Sequence, residues 1–112
     1  RDHWQMTRRG HAAANLLPVV AANRVGREVA SSDSTLQMEF YGSSFICNHK
    51  GALLAEADRA SSGVLLQCLD LAAMAEERLT WGIYRDRRPD MYGGLLTQDG
   101  RHLHPRWQTQ GV

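Results

Sequence analysis

The sequence predicts an α/β fold that is incomplete by itself. Two segments of helical character flank several short apolar runs that are typical of strands. The runs 16–22 and 64–69 are apolar at nearly every position, as in strands that are covered on both faces. Two helices are too few to form layers above and below such strands. We therefore expect the chain to pack against a missing N-terminal part of the same protein, a second subunit or both.

The first two elements are predicted from apolar spacing and one proline. Residues 2–15 have the pattern of a helix, with three consecutive alanines near its end. Pro18 prevents this helix from continuing, because proline has no backbone N–H to donate. The almost wholly apolar run 16–22 favours a buried strand that the proline opens. The polar residues and the glycine of 23–26 mark the end of that strand.

The middle of the chain predicts a β-hairpin. A polar loop at 31–34 is followed by 36–48, whose alternating side chains indicate one continuous β segment. Residues 48–51 have the composition of a turn, and 52–57 can pair back as a second strand.

A strand and a helix are predicted next. The run 64–69 follows a polar turn and is expected to be another buried strand. Asp70 is a good N-cap for a helix over 71–84, because its carboxylate can accept a hydrogen bond from an N–H of the first turn. We expect residues 1–84 to belong to one domain.

Residues 85–112 are rich in Arg, Asp, Pro, Gly and His, and we expect an extended C-terminal tail there. The run Arg85-Asp86-Arg87-Arg88 has the charge of a phosphate or nucleic-acid patch. The aspartate within it favours local ion pairs or a subunit interface instead. Trp81, Tyr84 and Tyr92 would add packing area to such an interface.

The overall charge limits the classes of partner. The chain has 13 Lys and Arg against 12 Asp and Glu, a net charge of +1. This balance gives no reason to expect nucleic acid or an anionic membrane as a partner. The sequence has no apolar run long enough to span a membrane, no initiator Met and no secretory signal. We expect a cytoplasmic protein.

Neither the cysteines nor the serines have the surroundings of a catalytic nucleophile. Cys47 and Cys68 lie in apolar, strand-like runs, which favours reduced and buried thiols without a neighbouring base or cation. Gly42-Ser43-Ser44 is not a nucleophile elbow, because it lies within a predicted strand and lacks the second glycine. A structural role is favoured for all four side chains.

The histidines do not predict a metal site. Only two of the five are close together in sequence, and no Cys or carboxylate cluster accompanies them. The histidines are His3, His11, His49, His102 and His104. We expect no metal and no cofactor.

Several stretches together resemble the C-terminal part of the nitrilase, or carbon–nitrogen hydrolase, superfamily. The likeness keeps the same order over nearly the whole chain and fades after about Gly100. The turn at 47–51 and the loop at 31–34 depart from the family pattern. The stretches that carry the resemblance are Arg1–Gln5, Gly10–Asn15, Pro18–Gly26, Phe40–Ile46, Glu56–Asp58 and Trp81–Pro89.

The resemblance implies the C-terminal part of a four-layer α-β-β-α sandwich that assembles as a homo-oligomer. It also implies a cysteine nucleophile, a glutamate general base and a lysine that stabilises the oxyanion. None of the three maps onto this chain, so all are expected upstream and no residue here is predicted to be catalytic. The implied reaction is hydrolysis of a small carbamoyl amide, N-carbamoylputrescine, through a cysteine acyl-enzyme.

Two alternatives remain open within this resemblance. One is a related amidase, such as one acting on carbamoyl-β-alanine, whose substrate has a carboxylate. The other is a non-catalytic relative that serves as an assembly subunit. The presence of a cysteine, a glutamate and a lysine upstream would favour an enzyme, and the loss of any one of them would favour an assembly subunit.

The start of the chain is the predicted substrate contact. The resemblance implies that Asp2, His3 and Trp4 lie on the pocket wall. Asp2 could attract a cationic amine, and Trp4 could cover its methylene groups. The alternative is that Asp2 caps the helix and Trp4 packs it. Asn23 and Arg24, after the first predicted strand, are weaker candidates for the same pocket.

Overall fold

The computed structural model describes residues 1–97, which fall into two units, one of residues 1–81 and one that begins at Gly82. The first unit ends at Trp81, three residues before the predicted domain end at residue 84. Its elements are α1 (Asp2–Asn15), β1 (Val19–Ala21), β2 (Val25–Val29), β3 (Gln37–Tyr41), β4 (Phe45–Cys47), β5 (Leu53–Glu56) and α2 (Leu71–Trp81).

Helix α1 has the predicted bounds. It ends at Leu16, which adopts the left-handed conformation with φ 49°. The N–H groups of Leu16 and Leu17 donate to the carbonyls of Ala13 and Ala12, and these bonds close the last turn. Pro18 follows, and β1 begins directly after it, so the strand is shorter than the predicted run 16–22.

Strands β1, β4 and β5 form an antiparallel sheet in the order β1-β4-β5. The predicted hairpin between β4 and β5 is therefore confirmed. Helix α1 covers one face of this sheet, where Ala12, Phe45 and Cys47 are fully buried. The Trp4 ring packs edge-on against Phe45, with 5.4 Å between the ring centroids. These contacts form the core of the first unit.

The prediction of one β segment over 36–48 is wrong. β3 pairs with β2 in a separate two-stranded sheet, and β4 belongs to the sheet under α1. The break lies at Gly42 and Ser43, which have φ values of 58° and 61°, and a left-handed backbone cannot continue a strand. The residues interpreted as a strand exit also differ, since Val25 and Gly26 begin β2.

The run 64–69 is not a strand within the described part of the chain. Val64 and Leu66 are 84% and 87% exposed, and no strand of residues 1–97 pairs with them. Cys68 is exposed, which corrects the prediction that it is buried, whereas Cys47 is buried as predicted. The apolar pattern alone does not provide the neighbouring strand that a sheet requires.

Helix α2 begins as predicted. The Asp70 carboxylate accepts a hydrogen bond of 2.9 Å from the backbone N–H of Ala73. The helix ends at Trp81 instead of Tyr84, because Gly82 adopts a positive φ of 65°. Glu77 fastens the helix to the predicted turn at 48–51, through His49 Nε2 at 2.5 Å and Lys50 Nζ at 3.0 Å.

The second unit contains a 3₁₀ helix over Pro89–Leu96, so the prediction of an extended tail is wrong for these residues. Its proline stands at the start of the helix, where no N–H is needed. The expected local ion pairs are present: Arg85 with Asp86 at 2.6 Å and Arg88 with Asp90 at 2.7 Å. His102 and His104 lie outside the described residues.

Gly51 allows α1 to approach the β4–β5 turn. Its φ is 78°, and an added Cβ would lie 2.8 Å from the Arg9 carbonyl oxygen. Arg9 Nε also donates to the Gly51 carbonyl at 2.7 Å. Any side chain at this position would therefore push the helix away from the turn.

We expect Gly51→Ala to lower the free energy of unfolding of the full-length protein by about 1–3 kcal/mol, because of backbone strain and the clash with Arg9. Urea denaturation measures the change. Gly10→Ala is the control, since an added Cβ there meets nothing within 4 Å, and it should raise stability by about 0.5–1 kcal/mol. Equal stability of Gly51→Ala and the wild type would contradict the close approach.

Candidate functional site

A polar cleft lies where β1 ends, β4 begins and β5 ends. Antiparallel pairing brings these three strand ends to the same edge of the sheet. The cavity has a volume of about 310 Å³. Its lining is mostly polar and comes from three segments: Asn23, Arg24 and Val25; Gly42, Ser43 and Ser44; and Ala57, Asp58, Ser61, Ser62 and Gly63.

Asn23 is held at the end of β1 by its neighbours. Its Nδ2 donates to the Gly42 carbonyl at 2.8 Å, and its Oδ1 accepts from the Arg24 backbone N–H at 2.9 Å. The Ser44 hydroxyl accepts from the Asn23 backbone N–H at 2.9 Å. The side chain is thus fixed at the cleft instead of being free in solvent.

Gly42 and Ser43 form a sharp corner between β3 and β4, which we call the left-handed corner. Ser43 is fully buried, although its φ of 61° is unfavourable for a residue with a Cβ. An added Cβ at Gly42 would lie 2.9 Å from the Asp58 carbonyl oxygen, so only glycine fits there. The corner therefore brings the backbone before β4 close to the backbone after β5.

Arg1 connects the start of α1 to this corner. Its Nε donates to Ser43 Oγ at 3.1 Å, and its terminal nitrogen donates to Glu56 Oε1 at 2.6 Å. Gln5 Nε2 donates to the same carboxylate oxygen at 2.7 Å. The hydrogen bond from Arg1, followed by that from Gln5, lowers the pKa of Glu56 below its usual value.

The two charged groups at the cleft differ in their partners. The Arg24 guanidinium pairs with Glu28 at 2.5 Å and lies 4.9 Å from the centre of the Phe40 ring. Hydrogen bonds from the hydroxyl and the N–H of Ser61 lower the pKa of Asp58 to about 2. Arg24 is therefore neutralised by a carboxylate, whereas Asp58 is ionised at neutral pH.

The structure does not bring the predicted wall residues together. Asp2 and Trp4 lie on opposite sides of α1, because two residues turn an α-helix by about 200°. Trp4 packs on the core, and Asp2 is 88% exposed beside a groove that Arg9 and Lys50 also line. His3 is exposed as well. The helix has no side-chain cap, so Asp2 does not serve as one.

Asn23 and Arg24 could be predicted from the sequence as pocket candidates, whereas Ser43 and Asp58, which also line the cleft, and Glu56, which binds Arg1, were missed. The glycine before Ser43 was the signal for a corner, because glycine in a strand pattern often marks a break. The contact between Arg1 and Glu56 has no local signal, since 55 residues separate the two in sequence.

Residues 1–97 contain no group of three or more His, Cys, Asp or Glu side chains that could hold a metal ion. Neither α-helix in this part of the chain has the length and apolar character needed to cross a bilayer.

Comparison with known proteins identifies the family. The sequence profile of the carbon–nitrogen hydrolases matches residues 1–78. An N-carbamoylputrescine amidase of Arabidopsis thaliana is 48% identical over 89% of this chain and 34% of its own length. A citrullinase of Francisella tularensis is 49% identical over 86% of this chain and 32% of its own length.

The fold agrees with this result. A carbon–nitrogen hydrolase of Helicobacter pylori, whose crystal structure is known, superposes with a TM-score of 0.76 at 40% identity, over 87% of this chain and 33% of that one. The chain belongs to the carbon–nitrogen hydrolase family, and its α/β structure has the fold of that family. It spans about a third of the length of these relatives.

The lowered pKa of Glu56 predicts a pH-dependent contribution to stability. A carboxylate whose pKa is lower in the folded than in the unfolded protein stabilises the fold above the unfolded value, and the effect disappears as pH falls through the folded value. We expect Glu56→Gln in the full-length protein to lower the free energy of unfolding at pH 7 by up to about 1 kcal/mol, a small effect because the pair is partly exposed.

Urea denaturation at several pH values measures this difference, which should shrink below the ordinary glutamate pKa of about 4.3. Glu76→Gln is the control, because Glu76 has no ion pair among residues 1–97. A Glu56→Gln effect that stays constant from pH 7 to pH 3 would contradict the charge argument.

Proposed function

We propose that this chain is the C-terminal part of an amidase that hydrolyses N-carbamoylputrescine to putrescine, carbon dioxide and ammonia. The 48% identity to the Arabidopsis relative of that name, along nearly nine tenths of this chain, is the observation that carries the proposal. A cysteine, a glutamate and a lysine N-terminal to residue 1 would perform the chemistry, and this chain would supply binding surface and scaffold.

The proposed reaction proceeds through a covalent intermediate. The glutamate takes the thiol proton, and the thiolate attacks the carbamoyl carbon while positioned donors stabilise the oxyanion. The glutamate returns its proton to the amine nitrogen, the C–N bond breaks and putrescine leaves, and water then hydrolyses the S-carbamoyl enzyme to the free thiol and carbamate, which decomposes to carbon dioxide and ammonia. Cys47 is not the nucleophile in this proposal, because it is fully buried beneath α1. Cys68 is exposed but has no hydrogen-bonded base among the described residues.

The charge of the polar cleft supports a cationic diamine substrate. Asp58 is ionised, and the positive charge of Arg24 is compensated by Glu28. Asp58 is thus the charged lining residue without an ion-pair partner among residues 1–97, and it can attract the ammonium end of N-carbamoylputrescine. A carbamoyl-β-alanine hydrolase would have to bind a carboxylate, which this charge distribution does not favour.

Citrulline hydrolysis is a second candidate, because the Francisella relative is named citrullinase and is 49% identical. Citrulline and N-carbamoylputrescine share a ureido group on an aliphatic chain and differ at the other end. Citrulline has both an ammonium and a carboxylate there, whereas the diamine has only the ammonium. The same upstream chemistry would serve either substrate, and the charged end would decide between them.

We further propose that the exposed apolar side chains of the first unit contact the rest of the protein or a second subunit. Val64, Leu66, Leu79 and Trp81 are between 65% and 87% exposed, which is unusual for large apolar groups. A homo-oligomer would bury such residues, and the segment after Arg85 is proposed to take part in its interface.

The full-length protein is expected to release ammonia from N-carbamoylputrescine, while residues 1–112 alone release none. Ammonia release is measured with N-carbamoylputrescine, citrulline and carbamoyl-β-alanine at equal concentrations, and kcat/KM is compared. The control is a full-length variant in which the upstream cysteine is replaced by alanine. A higher kcat/KM for citrulline would favour the second candidate, and turnover by residues 1–112 alone would contradict an upstream nucleophile.

Asp2, which lines a different groove, is the alternative proposed contact for the substrate ammonium. Asp2→Asn should raise the KM for N-carbamoylputrescine but leave the KM for N-butylurea, a neutral analogue, unchanged. Steady-state kinetics of the full-length protein measure both constants. An equal change in KM for the two substrates would show that Asp2 acts on the structure of α1 and does not contact the ammonium.

A further inference from the structure

The left-handed corner at Gly42 and Ser43 is strained, buried and located at the polar cleft. Ser43 has a positive φ at zero exposure, a conformation that L residues adopt only when their surroundings enforce it. Backbone conformations of this kind concentrate at ligand-binding and catalytic sites, where they fix the position of other groups. The corner therefore requires a functional as well as a structural account.

The corner holds both walls of the cleft. On one side the Gly42 carbonyl accepts from Asn23 Nδ2, and the Gly42 N–H donates to the Arg24 carbonyl, both at 2.8 Å. On the other side the Ser43 N–H donates to the Asp58 carbonyl at 3.1 Å. A shift of the corner would thus move the residues after β1 and those after β5 at the same time.

Arg1 holds the corner from the side of the helix. It donates to Ser43 Oγ at 3.1 Å, and Glu56 fixes its guanidinium through a second bond at 2.6 Å. Ser43 Oγ in turn donates to the Tyr41 carbonyl at 3.2 Å. The Ser43 hydroxyl is therefore bonded both to Arg1, at the start of α1, and to Tyr41 in β3. Glu56 in β5 contributes indirectly, because it holds the Arg1 guanidinium in place.

We propose that Ser43 is a positioning residue, whose hydroxyl keeps the left-handed corner and hence Asn23 and Asp58 in place to bind the charged end of a ureido substrate. This inference rests on the proposed function. Ser43 is buried and does not touch the substrate itself. Its effect on the reaction is expected through substrate binding, because the cleft binds a part of the substrate away from the reacting carbon.

Two substitutions at Ser43 separate positioning from stability. Ser43→Gly removes the hydroxyl and also relieves the strain, so its melting temperature should equal or exceed that of the wild type. Ser43→Ala removes the hydroxyl and keeps the strain, so it should melt lower. In the full-length enzyme both variants should lose about tenfold in kcat/KM for N-carbamoylputrescine, mainly through KM. A purely structural role would reduce activity only in the variant that melts lower.

Thr35→Ala is the matched control, because Thr35 lies in the loop between β2 and β3 and its side chain, among residues 1–97, bonds to Asp33 alone. Its kinetic constants should equal those of the wild type. A Ser43→Gly variant with unchanged KM would overturn the inference.

Amide hydrogen exchange provides a readout that does not depend on activity. Residues 23–25 and 57–61 should exchange faster in Ser43→Gly than in the wild type, and unchanged exchange there would also overturn positioning. If the wild type released no ammonia from any ureido substrate, the proposed function would fail, while these exchange rates would still decide whether Ser43 positions the cleft.

Discussion

The buried contact between helix α1 and strand β4 is the interaction on which the first unit depends. Ala12 is fully buried against Phe45 and Cys47, and its small side chain lets the helix approach the sheet closely. Because β4 is the central strand, its position determines those of β1 and β5 as well.

The direction of α1 follows from the same packing. Arg1 lies beside Ser43 before β4, Trp4 packs on Phe45 within it, and Arg9 contacts Gly51 after it. The helix thus runs alongside β4 in the same direction. Its first residues therefore reach the polar cleft, while its later residues support the β4–β5 turn.

Local chemistry could be predicted from the sequence, whereas pairing between distant segments could not. Helix α1 and the Asp70 cap depend on neighbouring residues, and both were predicted correctly. The run 64–69 has the composition of a buried strand, but a strand also needs a partner, which composition does not specify. The same reason accounts for the exposure of Cys68, since its predicted burial depended on that strand.

The residues of the candidate site could be predicted only where a local signal exists. Asn23 could be proposed because a polar residue after an apolar run is a local signal. Ser43 and Glu56 were missed because their roles depend on Arg1, which is 42 and 55 residues away in sequence. Family resemblance directed attention to Asp2, whose side chain the structure places beside Arg9 and Lys50.

In the proposed function, the chemical contribution of this chain is binding and alignment. Hydrogen bonds fix the polar groups of the cleft before any ligand binds. Little side-chain conformational entropy would therefore be lost when a substrate binds. Rigid side chains of this kind suit recognition of one end of a small molecule, while a nucleophile elsewhere attacks the other end. In the proposed function, the charge of the cleft is separate from the residues that cleave the bond, so a change of charge in the cleft would change the preferred substrate without changing the reaction.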